Sequence, residues 1–144
     1  MKRTIYYILS FTWGIIMTII GLLAALVLYI IGKKPTMHGP CLCYVVGTGW
    51  GGISLGPIMI MSESNAKGDH TKNHEFGHSL QNCIWGPLFP FVIAIPSAIR
   101  YHQRENMVKS GQITARELEE KDPYDSIWFE GQATEWGTKY IDKF

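Results

Sequence analysis

Residues 72–81 read KNHEFGHSLQ, with His74 and His78 four apart and Glu75 directly after the first. On an α-helix, positions i and i+4 lie on one face a single turn apart. Both imidazoles can then be aimed at one ion at about 2.0–2.1 Å, the usual zinc–nitrogen distance. Glu75 falls on the neighbouring flank, where it can act as general base toward a metal-activated water without displacing it. With five His and eight Glu in 144 residues, the pattern H-E-x-x-H arises by chance in about one such sequence in a hundred. The stretch predicts a helix from about Lys72 to Ile84, capped by Asp69 or Thr71 and stopped before Gly86-Pro87.

A catalytic zinc takes three protein ligands and keeps a fourth position open. The segment DSIWFEGQATEWGTKY (125–140) supplies Glu130 and Glu135 on a last helix, roughly 124–140, opened by Asp122-Pro123. These two glutamates lie about 140° apart around a helix, so only one can face the ion. Glu130 is the choice and Glu135 the reserve. Thr134, one turn after Glu130, is placed to hydrogen-bond the ligands from behind, with Glu135 as a second candidate for that supporting place.

H-E-x-x-H followed tens of residues later by a helical glutamate resembles the gluzincins, the metallopeptidase clan that includes thermolysin and membrane-embedded prenyl-protein proteases. In that clan the downstream motif is commonly E-x-x-x-D, or E-x-x-A-D in the membrane members, the Asp orienting a histidine ligand. Here it reads EGQAT, Glu130 to Thr134, matching at Ala133 and departing at Thr134. The arrangement also resembles small bacterial membrane proteins that pair H-E-F-G-H with a downstream glutamate motif. The resemblance implies a zinc-dependent peptidase with His74, His78 and Glu130 as ligands and Glu75 as base. The spelling HEFGH is similar to site-2 intramembrane proteases as well, but those take an Asp from an apolar membrane helix. Asp69, Asp122, Asp125 and Asp142 all have polar neighbours.

Upstream, Ile5–Ile31 is an apolar run with no charged residue or histidine between Thr4 and Gly32. As one helix it would cover about 40 Å, enough to cross a hydrocarbon core of about 30 Å. It predicts a retained single-pass anchor at the cell membrane, since Lys33-Lys34-Pro35 offers no signal-peptide cleavage site. Lys2 and Arg3 on one side balance Lys33 and Lys34 on the other, so orientation is nearly undetermined. Three cysteines, an odd count, lean it to the cytoplasmic side. The formal charge of +1 argues against a nucleic-acid partner; the expected partners are the lipid bilayer and a protein or peptide substrate.

Residues 84–99 are apolar, but they number only 16 and contain Pro87, Pro90 and Pro96. If they crossed the bilayer, Glu130 would start on the opposite side from the histidines. They are therefore expected as a buried core segment or a re-entrant loop. Residues 33–40 read as a linker. CLCYVV (41–46) and ISLGPIMIM (53–61) read as two strands of a hairpin or small sheet with GTGWGG as the turn. The spacing Gly47, Gly49, Gly52 matches a dinucleotide fingerprint, but no helix follows it, which leaves a glycine turn. Ser54, Leu55 and Gly56, just before the H-E-x-x-H helix, are placed to pair with an extended substrate. Thr114 and Glu117 form a capping box for a short polar helix. His70 is expected in the polar loop and His102 near lipid headgroups, Tyr124 and Tyr140 have nothing to single them out, and His38 with Cys41, Cys43 and Cys83 fits no common zinc spacing.

The expectation is an α+β, mainly helical protein: an N-terminal transmembrane helix (1–32), then a small zincin-like domain (33–144) with a short sheet. The expected activity is zinc-dependent peptide hydrolysis. The competing classes are a non-catalytic protein with a structural metal and a site-2-type intramembrane protease.

Overall fold

A computed structural model describes residues 2–144. The apolar N-terminal run does not form one helix. Helix α1 (Arg3–Phe11) and helix α2 (Ile15–Ile30) meet at 92°. Residues far away in sequence hold the bend. Asn82 Nδ2 donates to the Gly14 carbonyl at 3.2 Å, and the Trp13 indole donates to the Ile84 carbonyl at 3.0 Å. A Cβ at Gly14 would run into the Asn82 side chain, so the corner needs glycine. The straight anchor expected for 5–31 is thus replaced by two helices, and no single helix among the described residues is long and apolar enough to cross a membrane. Nor does the run stand apart from the domain that follows. Tyr6 of α1 is fully buried beside Cys41, Met59 and Phe76.

Strands β1 (Thr36–His38), β2 (Cys41–Val45), β3 (Gly52–Leu55) and β4 (Ile58–Met61) form a mixed sheet in the order β1-β2-β4-β3. β1 and β2 are antiparallel. β2 and β4 are parallel, with Leu42 opposite Ile58 and Val45 opposite Met61. The hairpin is not the one expected from 41–46 and 53–61. Gly56-Pro57 splits the second run into β3 and β4, because Gly56 takes the positive φ (64°) that a tight turn demands. GTGWGG instead links β2 to β3, and part of the expected 33–40 linker is edge strand β1. Cys41, Cys43, Met59 and Met61 share one face of the sheet, while Tyr44 and Ile58 meet Ala25 and Leu28 of α2 on the other. Buried on both faces, β2 and β4 read as continuous apolar runs.

A one-turn helix α3 (Glu63–Ala66) leads into α4 (Asp69–Trp85), which starts three residues earlier than expected, from Gly68 and without a side-chain cap. A short 3₁₀ turn (Gly86–Leu88) and a π-helical turn (Pro90–Ala94) then reverse the chain into α5 (Ile95–Lys109), bent 118° from α4. The prolines fall in first turns, where a missing N–H costs no hydrogen bond. The reversal is half core: Phe89 is 2 % exposed while Phe91, two residues on, is 68 % exposed. Helix α6 (Ala115–Lys121) carries the expected Thr114–Glu117 capping box. Helix α7 (Trp128–Tyr140) begins later than Asp122-Pro123 suggested, after a 3₁₀ turn (Tyr124–Ser126) and an extended Ile127. It crosses α4 in close contact: Gly77 faces the Ala133 carbonyl and Gly137 faces the Asn73 carbonyl, with no room for a Cβ at either glycine.

Candidate metal centre and cleft

The crossing of α4 and α7 brings His74, His78 and Glu130 together. His74 Nε2 and His78 Nε2 lie 3.1 Å apart, and each is 3.1 Å from Glu130 Oε2. All three residues are buried, and as a group they can hold a metal ion. A tetrahedral ion with bonds of about 2.05 Å holds its ligand atoms about 3.3 Å apart, close to the edges of this triangle.

The hydrogen bonds behind the triangle say what charge belongs inside it. Gln81 Nε2 donates to the Phe129 carbonyl at 2.8 Å and to Gln132 Oε1 at 3.0 Å. That fixes the amide so that Gln81 Oε1, 2.8 Å from His78 Nδ1, accepts that nitrogen's proton. His78 Nε2 is then left with a bare lone pair. His74 Nδ1 lies 2.8 Å from Thr134 Oγ1, which can accept its proton in the same way. Two imidazole lone pairs and a carboxylate oxygen in mutual contact repel one another unless a cation lies among them. The donor set thus fits a metal ion.

The second carboxylate oxygen is also occupied. Tyr124 donates its hydroxyl proton to Glu130 Oε1 at 3.3 Å. Burial, with the charge of Glu130 next, pushes the Tyr124 phenol well above its ordinary range, so it remains a donor. The Arg100 and Arg104 guanidinium groups lie 5.8 and 5.5 Å from the centre of its ring, and Arg100 pairs with Asp122 at 3.1 Å.

Glu130 and Glu75 are driven in opposite directions. A proton on the Nε2 atoms can stand in the place of a cation: burial alone would raise the Glu130 carboxyl, but the hydrogen bonds that His74 and His78 then donate outweigh it and hold the group well below the usual carboxylate range. Burial also raises Glu75; His74 and His78 offset this only in part, and the carboxyl ends above its ordinary value. For His78, burial works against the charged form, yet the hydrogen bond to Glu130 and the charge of Glu75 carry the imidazole upward. Two carboxylates with opposed shifts are the usual arrangement for a fixed anion beside a proton carrier.

Glu75 lines a cleft beside the triangle, its carboxylate packed against Gly52 of β3, where a Cβ would clash. A cavity of about 330 Å³ opens on one side, lined by Met17, Ser54, Phe89, Ile93 and Ala94, and one of about 370 Å³ on the other, lined by Asn65, His70, Thr71, Glu119 and Asp125. Gly52, His74, Glu75, Tyr101 and Tyr124 border both. β3 is the edge of the sheet at this point. The Gly51 amide donates to the Tyr101 hydroxyl at 3.2 Å, tying the start of β3 to α5.

Not every residue singled out in the sequence reaches the site. Glu135 is exposed and takes no part. Of Ser54, Leu55 and Gly56, Ser54 lines the cleft, Leu55 is packed in the core with Met17 and Phe89, and Gly56 packs on Thr18. His70 lies exposed in the first turn of α4, at the rim, and His102 lines the apolar cavity. His38 is bonded to Asn73 at 2.8 Å and all three thiols are buried and free. Gln81 was missed, although its position three residues after His78 put it on the same helix face. Nothing local marked Tyr101 or Gly52.

No protein-family model, curated protein or solved structure matches the chain.

Proposed function

We propose that the protein is a membrane-associated, zinc-dependent peptidase. One observation carries this: three metal-competent atoms stand at tetrahedral spacing while Glu75, on the same helix, opens into a cleft along an unpaired strand edge. His₂Glu is a set that catalytic zinc commonly uses. When bound, the ion would polarise a peptide carbonyl and lower the pKa of water into the neutral range. The rest falls to side chains of this chain. Gln81 and Thr134 keep both Nε2 lone pairs turned inward. The edge of β3 holds an extended peptide by its backbone. Glu75 takes the proton of the attacking water on a carboxylate oxygen and returns it to the leaving nitrogen.

A purely structural ion would add little, because glycine-to-backbone contacts already fix α4 against α7, and such an ion would give Glu75 no task. A site-2 arrangement lacks its aspartate, since the triangle holds Glu130 instead.

Membrane association is supported by outward apolar side chains on two elements that touch. α2 exposes Leu22, Leu23, Leu26 and Val27, and the reversal after α4 exposes Leu88 and Phe91. Surfaces of this kind mark protein or membrane contacts. The 16 residues of α2 cover about 24 Å, short of the hydrocarbon thickness of about 30 Å, which favours a partly embedded domain over a straight span.

The test is zinc per chain after detergent purification, together with peptide hydrolysis. Wild type should carry close to one equivalent, and His74→Ala and Glu130→Ala almost none. Glu75→Gln should keep its zinc and lose hydrolysis. A Glu75→Gln protein as active as wild type would exclude the mechanism.

A further inference from the structure

The two cavities that meet at Glu75 differ in chemistry. On the α2 side the walls are Met17, Phe89, Ile93 and Ala94, enclosing about 330 Å³, within the range of specific ligand pockets. Polar side chains also reach this lining, Ser54, Ser97 and His102 among them. Ser54 Oγ has no hydrogen-bond partner, and its residue is only 6 % exposed. A buried hydroxyl without a partner is unfavourable, and a bound ligand atom would relieve it. On the other side the walls are Asn65, Thr71, Glu119 and Asp125. Glu119 is paired with Arg104 at 2.6 Å, whereas Asp125 makes no ion pair among the described residues. In an extended chain neighbouring side chains point to opposite faces. A peptide lying along β3 therefore offers one flanking side chain to each cavity. The apolar cavity also shares its wall with the surface assigned above to the bilayer: Phe89 and Ile93 face in, Leu88 and Phe91 face out.

Resting on the peptidase reading, we propose that the cleft selects a bond flanked by a large apolar residue on the α2 side and a basic residue on the Asp125 side. That is the pattern at the edge of a membrane-embedded segment, where an apolar stretch gives way to lysine or arginine. Ser54 donates its hydroxyl proton to a backbone carbonyl of the segment.

The experiment uses the full-length, zinc-loaded protein in detergent and fluorogenic peptides with Leu-Lys at the central bond, in both orders. The comparison peptides carry Ser for Leu or Glu for Lys. One Leu-Lys order should be cleaved with kcat/KM at least about tenfold above every other peptide. Ala94→Phe, which narrows the apolar cavity, should move the preference from Leu to Ala. Asp125→Lys should reverse the preference between Lys and Glu. Cleavage of all the peptides within about threefold of one another would overturn the selectivity and leave the peptidase standing. If nothing is cleaved, binding of the same peptides to zinc-loaded Glu75→Gln, read by fluorescence anisotropy, decides separately. Tenfold tighter binding of a Leu-Lys peptide would support the cleft and reject the hydrolase, and indifferent binding would reject the cleft as well.

Discussion

A glutamine amide has two unlike ends, and the fold uses both ends of Gln81. Its nitrogen is committed to α7, so its oxygen must accept from His78. Thr134 plays the corresponding part for His74, standing where the resemblance to gluzincins leads one to expect an aspartate. A hydroxyl accepts a proton but brings no charge, so it orients the ring without raising its basicity as a carboxylate would. Thr134→Val should therefore weaken zinc binding by about 10–100-fold with the fold intact, measured by competition with a chelator. Thr134→Asp should bind at least as tightly as wild type. At this scale the sequence was informative wherever helical spacing applied. His74, Glu75 and His78 follow from the spacing i, i+1, i+4, whereas the 140° between Glu130 and Glu135 said only that one of the two could face the ion. Tyr124, six residues before Glu130 and across a helix start, obeys no period and could not be read in this way.

Between elements, the crossing of α4 and α7 matters most. Both contacts put a glycine of one helix on the backbone of the other, which brings the helices close enough for ligands on each to touch. Gly77→Ala should lower stability by about 2–4 kcal/mol and reduce zinc occupancy at 37 °C, followed by thermal melting with metal analysis. The link between α6 and α7 is held electrostatically. Asp122 accepts from Arg100 and Ser126, and the Arg100 hydrogen bond in particular holds its carboxyl below the usual range. A carboxyl depressed by folding stabilises the protein above its unfolded pKa of about 3.9 and stops doing so as pH falls through its folded value. Wild type and Asp122→Asn should therefore differ in urea midpoint at pH 6, and the difference should begin to shrink below about pH 4 and vanish only once pH is below the depressed folded value. The H-E-x-x-H helix and the capped helix after Thr114 were legible because each rests on local signals. The strand partners were not. Gly56-Pro57 looked like an interruption within one strand, and the parallel pairing of β2 with β4 depends on residues that no local pattern connects.

For the molecule as a whole, α2 and the turn after α4 that touches it both turn apolar side chains outward. Replacing Leu23 and Val27 together by lysine should move the protein from the floating to the soluble fraction in vesicle flotation, with its circular dichroism and zinc content unchanged. If the double variant still floats with the vesicles, α2 is not the lipid-facing element. Hydropathy revealed this region as apolar and nothing more. The corner at Thr12–Gly14 is set by Asn82 of α4 bonding to Gly14 and by Trp13 bonding to Ile84 of α4, information carried some seventy residues downstream. The fully buried ring of Tyr6 has a comparable dependence. It packs edge-on against Phe144, their centres 5.6 Å apart, and Phe144 in turn lies 5.3 Å from Phe76. During synthesis α1 emerges first and waits for that partner until residue 144 has cleared the ribosome. In the interval α2 is already available to lipid or to a chaperone. Contacts of such long sequence separation close late, so under the proposed membrane association α2 would meet the bilayer before the core is complete, and the cleft beside Glu75 would be assembled there.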